Sequence, residues 1–495
     1  MDDIKLYTST QRQLDQLLHL TESFSQDIQM NFGVSKCKTQ HITQGKRECV
    51  GFHLENGQTI DPMNEGDTYK YLGIEQSTQI NDKDIKKQII SKYTKRLHKI
   101  LKTKLNSRNI VKAINTYAIP ILTYSFGVIH WTDTDLNDIQ RKTRTALTKY
   151  NKHHPKSSIE RLTLPRDVGG RGLIDIPELH RKQVTRLRNY FHIKKLLSPL
   201  HKAISLSDKE YTPLNLHGTS TDIPYKPTHE EKMQTWGQKV IHGRHRHDLN
   251  LEYVDQKASN AWLRHGELFP ETEGFMIAIQ DQIIHTRNYR KYIMKDSTLQ
   301  TDKCRQCHIH SETIQHITSA CPIIAQTDYK HRHDQVANII HLKLGQKHNL
   351  ITEASPYYKY TPQSVLENTT HKMYWDRTII TDKTVHHNRP DITLIDKVNK
   401  VTYMIDIAIP NTHNLLKTNT EKITKYKELA IEVKQQWKQN KVITVPIILS
   451  TTGIIPHSLH ESIEILDIGR NVYMELQKAT IINTCHIVRK FLNMT

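Results

Sequence analysis

The sequence predicts a multidomain α+β protein, and three observations carry that prediction. Most of the chain before residue 300 reads as basic helices, four soft metal ligands crowd into residues 304 to 321, and a hairpin, helix and strand pattern fills residues 388 to 449. The charge balance sets the partner class: 70 Lys plus Arg against 51 Asp plus Glu leave a formal net charge of +19, and 31 histidines add to it below neutrality. A surplus of that size, clustered along helices, suits a polyanion, most simply nucleic acid. At 495 residues the chain has room for about two to four domains. No apolar run reaches membrane-spanning length and the first residues lack a signal-peptide pattern, so a soluble intracellular protein is expected. Six cysteines, three of them within residues 304 to 321, argue for a reducing compartment and a metal site over a disulfide framework.

In chain order, Met1-Asp2-Asp3-Ile4-Lys5-Leu6-Tyr7 places an apolar strand after an acidic pair. Residues 11 to 30 read as a helix on Leu14, Leu17, Leu18, Leu20 and Phe24, Lys36-Cys37-Lys38 precedes a strand, and Tyr71-Leu72-Gly73-Ile74 reads as a short buried strand after a turn at Gly66-Asp67. One long helix runs from Lys83 to Lys104, with Ile85, Ile89, Tyr93, Leu97, Leu101 and Leu105 at intervals of four. Its other faces carry Lys83, Lys86, Lys87, Lys92, Lys95, Arg96, Lys99, Lys102 and Lys104 against the single acid Asp84. A charge run is usually a solvated face, but so one-sided a face suits a phosphate track, where each contact releases counterions. Helices over Ile110 to Phe126 and Asp135 to Tyr150 complete a bundle. Beyond it, His153-His154-Pro155-Lys156-Ser157-Ser158 and Gly169-Gly170-Arg171-Gly172-Leu173 read as ordered loops, the second a weak phosphate-loop signal because no P-loop lysine follows. Residues 178 to 197 form a basic helix, 204 to 232 a polar linker, and Trp236 to Lys295 a helical stretch. There Arg244, Arg246, Arg264, Arg287, Arg290 and Lys291 alternate with Trp262, Phe269, Phe275, Tyr289 and Tyr292, which serve equally as core residues or as base-stacking partners.

The strongest local signal is Cys304-x2-Cys307-x8-His316-x4-Cys321. Three thiolates and one imidazole at close spacing make the tetrahedral set of structural zinc, with every position filled by protein. His308 and His310 compete for the imidazole role. His316 is preferred because Glu312 to Ser319 reads as a short helix that turns it back on the Cys pair.

In the C-terminal third, Arg389-Pro390-Asp391-Ile392-Thr393-Leu394-Ile395-Asp396 and Val401 to Ile409 are β-branched arms joined by a turn at Lys397 to Lys400. After Pro410 an amphipathic helix is expected on Ile423, Tyr426, Ala430, Val433 and Trp437, then a buried strand from Val442 to Leu449. Asp391 opens the first arm, Asp406 sits inside the second between Ile405 and Ile407, and Lys422 and Lys425 lie on the helix. A carboxylate in an apolar run needs a partner, and a metal ion is one. Two carboxylates can hold divalent cations, Mg²⁺ first among them, against a scissile phosphate, with the Ile407 carbonyl as a further ligand. Lys422 would then position the water, supported by Lys425 and Tyr426. The bland reading of the same residues is a Pro-Asp turn and an edge-protecting Asp.

Taken together, these motifs resemble the C-terminal part of the open reading frame of non-LTR retrotransposons that carry a restriction-like endonuclease, the site-specific ribosomal-DNA type. Met1-Asp2-Asp3 looks like the end of the reverse transcriptase xxDD box, Phe32-Gly33 through Lys36-Cys37-Lys38 like the next palm motif, and Tyr71-Leu72-Gly73 like the primer-grip YLG. Cys304, Cys307, His316 and Cys321 match the CCHC knuckle, and Arg389-Pro390-Asp391, Asp406, Glu421-Lys422 and Lys425-Tyr426 match the (K/R)PD…D…EKxxKY signature. The resemblance implies a partial palm over 1–80, a helical thumb over 81–150, a basic helical linker over 151–300, the zinc knuckle over 301–325, the restriction-endonuclease-like α/β core over 326–480 and a C-terminal tail over 481–495. It further implies target-primed reverse transcription, with double-stranded target DNA and element RNA as partners and a nuclear location. Lys86, Lys87, Lys92, Lys95, Arg96, Lys99 and Arg389 are then the expected phosphate contacts. The palm strand with the other carboxylate is not in this sequence, and Asp2 and Asp3, the remnant polymerase site, cannot hold two Mg²⁺ ions alone. Polymerisation is therefore not expected, and the sequence reads as a truncated or mis-started copy that keeps the nuclease. The alternative is an inactive RNA- or DNA-binding remnant.

Overall fold

The computed structural model describes residues 4–30, 33–54, 57–64, 66–77, 80–217, 228–352 and 355–493. Asp2, Asp3 and Phe32 lie outside the described residues, and with them the xxDD resemblance. The fold is mixed α+β in two compact units, Met1–Tyr93 with Val128–His130 and Thr94–Gly127 with Trp131–Thr495.

The first unit is built from the helix Gln11–Asp27 and three two-stranded hairpins around a small core of Leu18, Phe52, Leu54 and Ile60. The helix buries Leu18, whereas Leu17, Leu20 and Phe24 are exposed. Tyr71 to Ile74 does not form the buried strand its apolar run suggests. Tyr69–Tyr71 pairs antiparallel with Ile74–Gln76, and Leu72 at the tip is 52% exposed. Leu72 and Gly73 both have positive φ, 47° and 81°, the backbone of a tight two-residue hairpin turn that glycine makes accessible.

The basic helix spans Asp82–Leu101, and the division between the units falls within it. Ile85, Tyr93, Leu97 and Leu101 are buried, Leu105 is exposed, and Lys83, Lys87, Lys92, Lys95, Arg96, Lys99, Lys102 and Lys104 face solvent while Lys86 is half-buried. The expected helix from Ile110 to Phe126 is broken into Ser107–Ala113, a wide π-turn at Ile114–Ala118 and the short helix Pro120–Thr123. Pro120 has no N–H to continue the ladder, and the bond closing the turn runs from Ile119 N back to Ile114 O at 3.1 Å. Asp133–Lys149 and Ile176–Lys194 follow, the first behind a Thr132/Asp135 capping box. The stretch read as a linker is packed for part of its length: the helix Pro199–Ser207 enters it, and Leu214 and Leu216 are buried against Val184.

The glycine-rich loop turns inward. Gly169 and Gly172 have φ of 94° and 74°, and a Cβ at Gly170 would overlap the Leu164 carbonyl. That close path buries Arg171, which donates to Glu273 Oε1 at 2.9 Å, the Lys152 carbonyl at 2.6 Å and Ser107 Oγ at 2.9 Å. Arg166 grips the other oxygen of Glu273 at 2.7 Å, and Arg161 pairs with buried Asp281 at 2.8 Å. The loop is thus a structural arginine cluster and not a phosphate loop. Burial alone would raise Glu273, but Arg166 and Arg171 outweigh it and hold the carboxyl below its usual range. Glu273→Ala is expected to lower unfolding free energy by about 3–5 kcal/mol, because two guanidinium groups would stay buried without their acid. Urea denaturation of the two proteins checks this.

Acid should weaken the same unit. His153, His245 and His341 are buried. Burial pushes His153 down from 6.5 to about 3 and His341 to about 4, and burial next to Arg161 drives His245 well below 6.5. The unfolded chain therefore takes up protons at these rings that the folded chain refuses, so stability is full above 6.5 and falls as pH drops toward the folded values. The loss expected by about pH 5.5 is about 1 kcal/mol per histidine. Thermal midpoints measured across that range should fall on acidification, and His341→Phe should flatten the slope.

The C-terminal third holds a five-stranded sheet in the order Lys441–Ile448, Val401–Ala408, Ile392–Asp396, His371–Trp375, Val365–Glu367. Neighbours are antiparallel except Val401–Ala408 with Lys441–Ile448, which run parallel. The parallel pair is joined by the helical crossover at 415–436. Lys441–Ile448 is an edge strand, and Pro446 is tolerated there. One face packs Ile405, Ile407, Val445 and Ile447 against the helices Lys330–Lys347, His457–Leu466 and Val472–Asn493. The other face sets Met404 against Tyr426, Leu429 and Val433.

One sequence boundary shifts. The segment from 481, expected as a tail, is the second half of the helix Val472–Asn493, with Ile481, Cys485, Ile487, Val488 and Phe491 buried. These residues share one core with Cys304, Cys307, Ile314, Ile317 and Cys321 and with the helix Pro270–Gln280. Of the aromatics before the knuckle, Trp262 and Tyr289 belong to that core, while Phe269 and Tyr292 are exposed.

Candidate functional site

Two sites take shape beyond residue 300, and the first is the cysteine cluster. Cys304, Cys307, His316 and Cys321 are all buried, and their ligand atoms lie within 4.8 Å of one another. Cys304 Sγ is 3.9 Å from Cys321 Sγ, and Cys307 Sγ is 3.4 Å from His316 Nε2. The turn is held by Cys304 N to the His310 carbonyl and by His308 N to the Cys304 carbonyl, with His308 at φ 56°. The Gln306 and Cys307 amides point at Cys304 Sγ at 3.4 and 3.5 Å, as donors do toward a thiolate. His316 stands on a π-turn, His316–Ala320, rather than on a helix from Glu312. Glu312 precedes it, buried and bonded to Arg305. Burial pushes Cys321 up to about 11 and raises Cys304 as well, so a bound cation is what would keep these sulfurs as thiolates. The set is fit to hold a metal ion such as zinc.

The second site is built on the hairpin. Ile392 pairs with Ile405, which puts Asp391 beside Asp406 where the first arm begins. Asp406 is 2% exposed and shares the face of Met404. Its Oδ2 is ion-paired with Lys422, and its Oδ1 accepts from the Tyr426 hydroxyl at 2.5 Å and lies 3.4 Å from Lys425 Nζ. Lys425 also donates to the Tyr426 hydroxyl at 2.8 Å, and the Arg389 carbonyl is 3.2 Å from that hydroxyl. Burial and the Asp406 charge push the Tyr426 phenol far above its usual value, so it stays a donor.

These residues come from a helix that breaks at the site. Leu415–Lys425 ends and Lys427–Gln436 begins around Tyr426, where φ is −104°. The break leaves Ile423 exposed and turns Tyr426 into the core, so a single amphipathic helix is not formed.

Asp391 is held differently. Its Oδ2 accepts the Ile407 amide at 2.6 Å and faces His333 Nε2 at 3.1 Å. Ile407 thus serves the site through its N–H. His333, on Lys330–Lys347, is the residue sequence reasoning missed. Burial works against its charge, but hydrogen bonds to Asp334 and Asp391 prevail and lift it to about 9. The basic run Lys330-His331-Arg332-His333 was a signal, yet nothing local tied it to residue 391. Arg389 is engaged by Asp376 through both Nε and an NH₂ at 2.7 Å while remaining mostly exposed. A further set, Asp255, His457 and His460, also brings three ligating groups within 4.8 Å. There Asp255 already bonds His460 at 3.0 Å and caps the turn at Ala258.

The chain matches no protein-family model and no curated protein sequence. Among the described residues no helix is long and apolar enough to cross a membrane.

Proposed function

We propose that this chain is a metal-dependent DNA endonuclease of the retrotransposon kind, nicking target DNA for target-primed reverse transcription. The observation that carries the reading is Asp406, a buried carboxylate ringed by Lys422, Lys425 and Tyr426 and set beside Asp391 at the mouth of one hairpin. Two adjacent carboxylates are hard oxygen donors that suit Mg²⁺. Asp391 and Asp406 would hold it, and its chemistry would be Lewis-acid activation of water and phosphate. The Ile407 amide and His333 fix the Asp391 carboxylate, and Tyr426 fixes that of Asp406. Lys422 and Lys425 supply positive charge where a pentavalent phosphorane would gather negative charge. A chromosomal target would place the protein in the nucleus, with the element RNA as second partner.

The test is a nicking assay on supercoiled plasmid with Mg²⁺, comparing the natural chain with Asp391→Ala. Metal-dependent relaxation that the variant lacks supports the reading, and equal relaxation by both removes Asp391 from it. A second reading, a nucleic-acid-binding remnant without catalysis, is favoured by the exposed bases Lys92, Lys95, Arg96 and Lys99 on one helix. It predicts binding that falls steeply with salt and is indifferent to chelators.

A further inference from the structure

Beside the candidate nuclease site lies a cavity of about 340 Å³, lined by Ser319 from the knuckle's π-turn, Gln326, Tyr329, Lys330, Arg332 and His333. Arg332 is its unusual wall. The residue is 2% exposed, its terminal nitrogen donates to Thr484 Oγ1 at 3.0 Å, and its guanidinium sits over the Tyr329 ring at 5.3 Å. Its Nε has no hydrogen-bond partner, and among the described residues no acid forms an ion pair with it. The other buried arginines of this protein each have a carboxylate: Asp281 for Arg161 and Glu273 for Arg171. A guanidinium taken out of water with a donor unfilled is costly, and an anion is what relieves it.

The remaining walls are those of an anion site. Lys330 stands at the rim, where its Nζ also pairs with Asp334 at 2.8 Å, Ser319 and Gln326 can donate, and His333 lines the cavity while its Nε2 reaches Asp391. We propose that this cavity is a phosphate subsite that grips a backbone phosphodiester of the nucleic-acid strand next to the one at Asp391 and Asp406, with Arg332 as its principal contact. Arginine suits a phosphate because its fork donates two parallel bonds. His333 joins the two sites: it lines the cavity, and its ring nitrogens bond Asp334 at 3.0 Å and Asp391 at 3.1 Å. Tyr329 joins the subsite to the knuckle, since its hydroxyl donates to the Ile317 carbonyl at 2.7 Å and accepts from Cys321 N at 3.1 Å. A bound phosphate would thereby register strand, knuckle and hairpin to one another. The choice of a nucleic-acid strand over free phosphate rests on the proposed nuclease reading. The anion site itself does not.

The experiment uses the full zinc-loaded chain, titrated calorimetrically with inorganic phosphate, alone and with a saturating short DNA duplex, in a chelator too weak to strip zinc and without Mg²⁺. Saturable phosphate binding is expected, weakened about tenfold or more by Arg332→Met, as loss of a charge-assisted hydrogen bond predicts. Arg332 is buried, so Gln326→Glu serves as the fold-neutral variant: Gln326 is exposed at the rim, and the added carboxylate should weaken phosphate to a similar degree. The duplex should abolish phosphate binding. No saturable phosphate binding, or binding untouched by both variants, overturns the site. Phosphate that binds equally well beside the duplex overturns the strand as its source. If the plasmid is never nicked yet the duplex displaces phosphate, the subsite stands and the nuclease reading falls.

Discussion

Asp406→Ala is expected to lower nicking about a thousandfold or more while duplex affinity changes less than about threefold, because it removes a carboxylate proposed to hold the metal and leaves the exposed bases of the basic helix in place. The size of the effect follows from how many groups converge on this one side chain. Asp406 fixes Lys422, Lys425 and Tyr426 at once, so its loss removes one of the two proposed cation ligands and frees two lysines and a phenol from it. The buried Tyr426 hydroxyl would keep the Arg389 carbonyl at 3.2 Å as its acceptor. Two comparisons separate chemistry from folding. Tyr426→Phe removes the hydroxyl that bonds Asp406 and Lys425 but keeps both carboxylates, and should cost about tenfold in rate. Urea unfolding of each variant shows whether lost nicking outruns lost stability. Nicking that survives in Asp406→Ala would take the carboxylate pair out of the mechanism.

Stripping metal from the cysteine cluster should have the second large effect. Cys304, Cys307 and Cys321 sit in one core with the helix Pro270–Gln280 and with Ile487, Val488 and Phe491 of the C-terminal helix. Without a cation, that core must bury three neutral thiols and an imidazole at ligand distance, with nothing to organise them. A structural zinc in small modules binds with about 10–16 kcal/mol, which is folding energy where the apo site is unformed. A strong chelator is therefore expected to lower the thermal midpoint by at least about 10 °C and to expose the C-terminal helix to proteolysis, the size depending on how much of the core melts with the site. Metal analysis should return one zinc per chain. His316→Ala should lose it, whereas His308→Ala and His310→Ala should keep it, since neither belongs to the four-ligand set. Retention of zinc in His316→Ala would reassign the imidazole.

The sequence by itself determined the mixed α+β class, the four soft ligands and the strand, strand, helix, strand order around Asp391 and Asp406, since each rests on a local period or spacing. Metal-ligand spacing within a short turn is legible because the chain cannot separate residues so close. The tertiary structure alone decided the rest. Leu72 and Gly73 form a hairpin tip through positive φ, which an apolar run does not reveal. Arg171 and Glu273 are far apart in the chain, yet together they turned a glycine-rich loop into a buried ion cluster. His333 and Asp391 likewise meet across packed layers. Such partnerships depend on which faces the apolar core brings together, and a sequence pattern fixes the faces without fixing who stands opposite. The same physics leaves Arg332 without an acid among the described residues and its Nε without a partner, an outcome of packing and not of any motif.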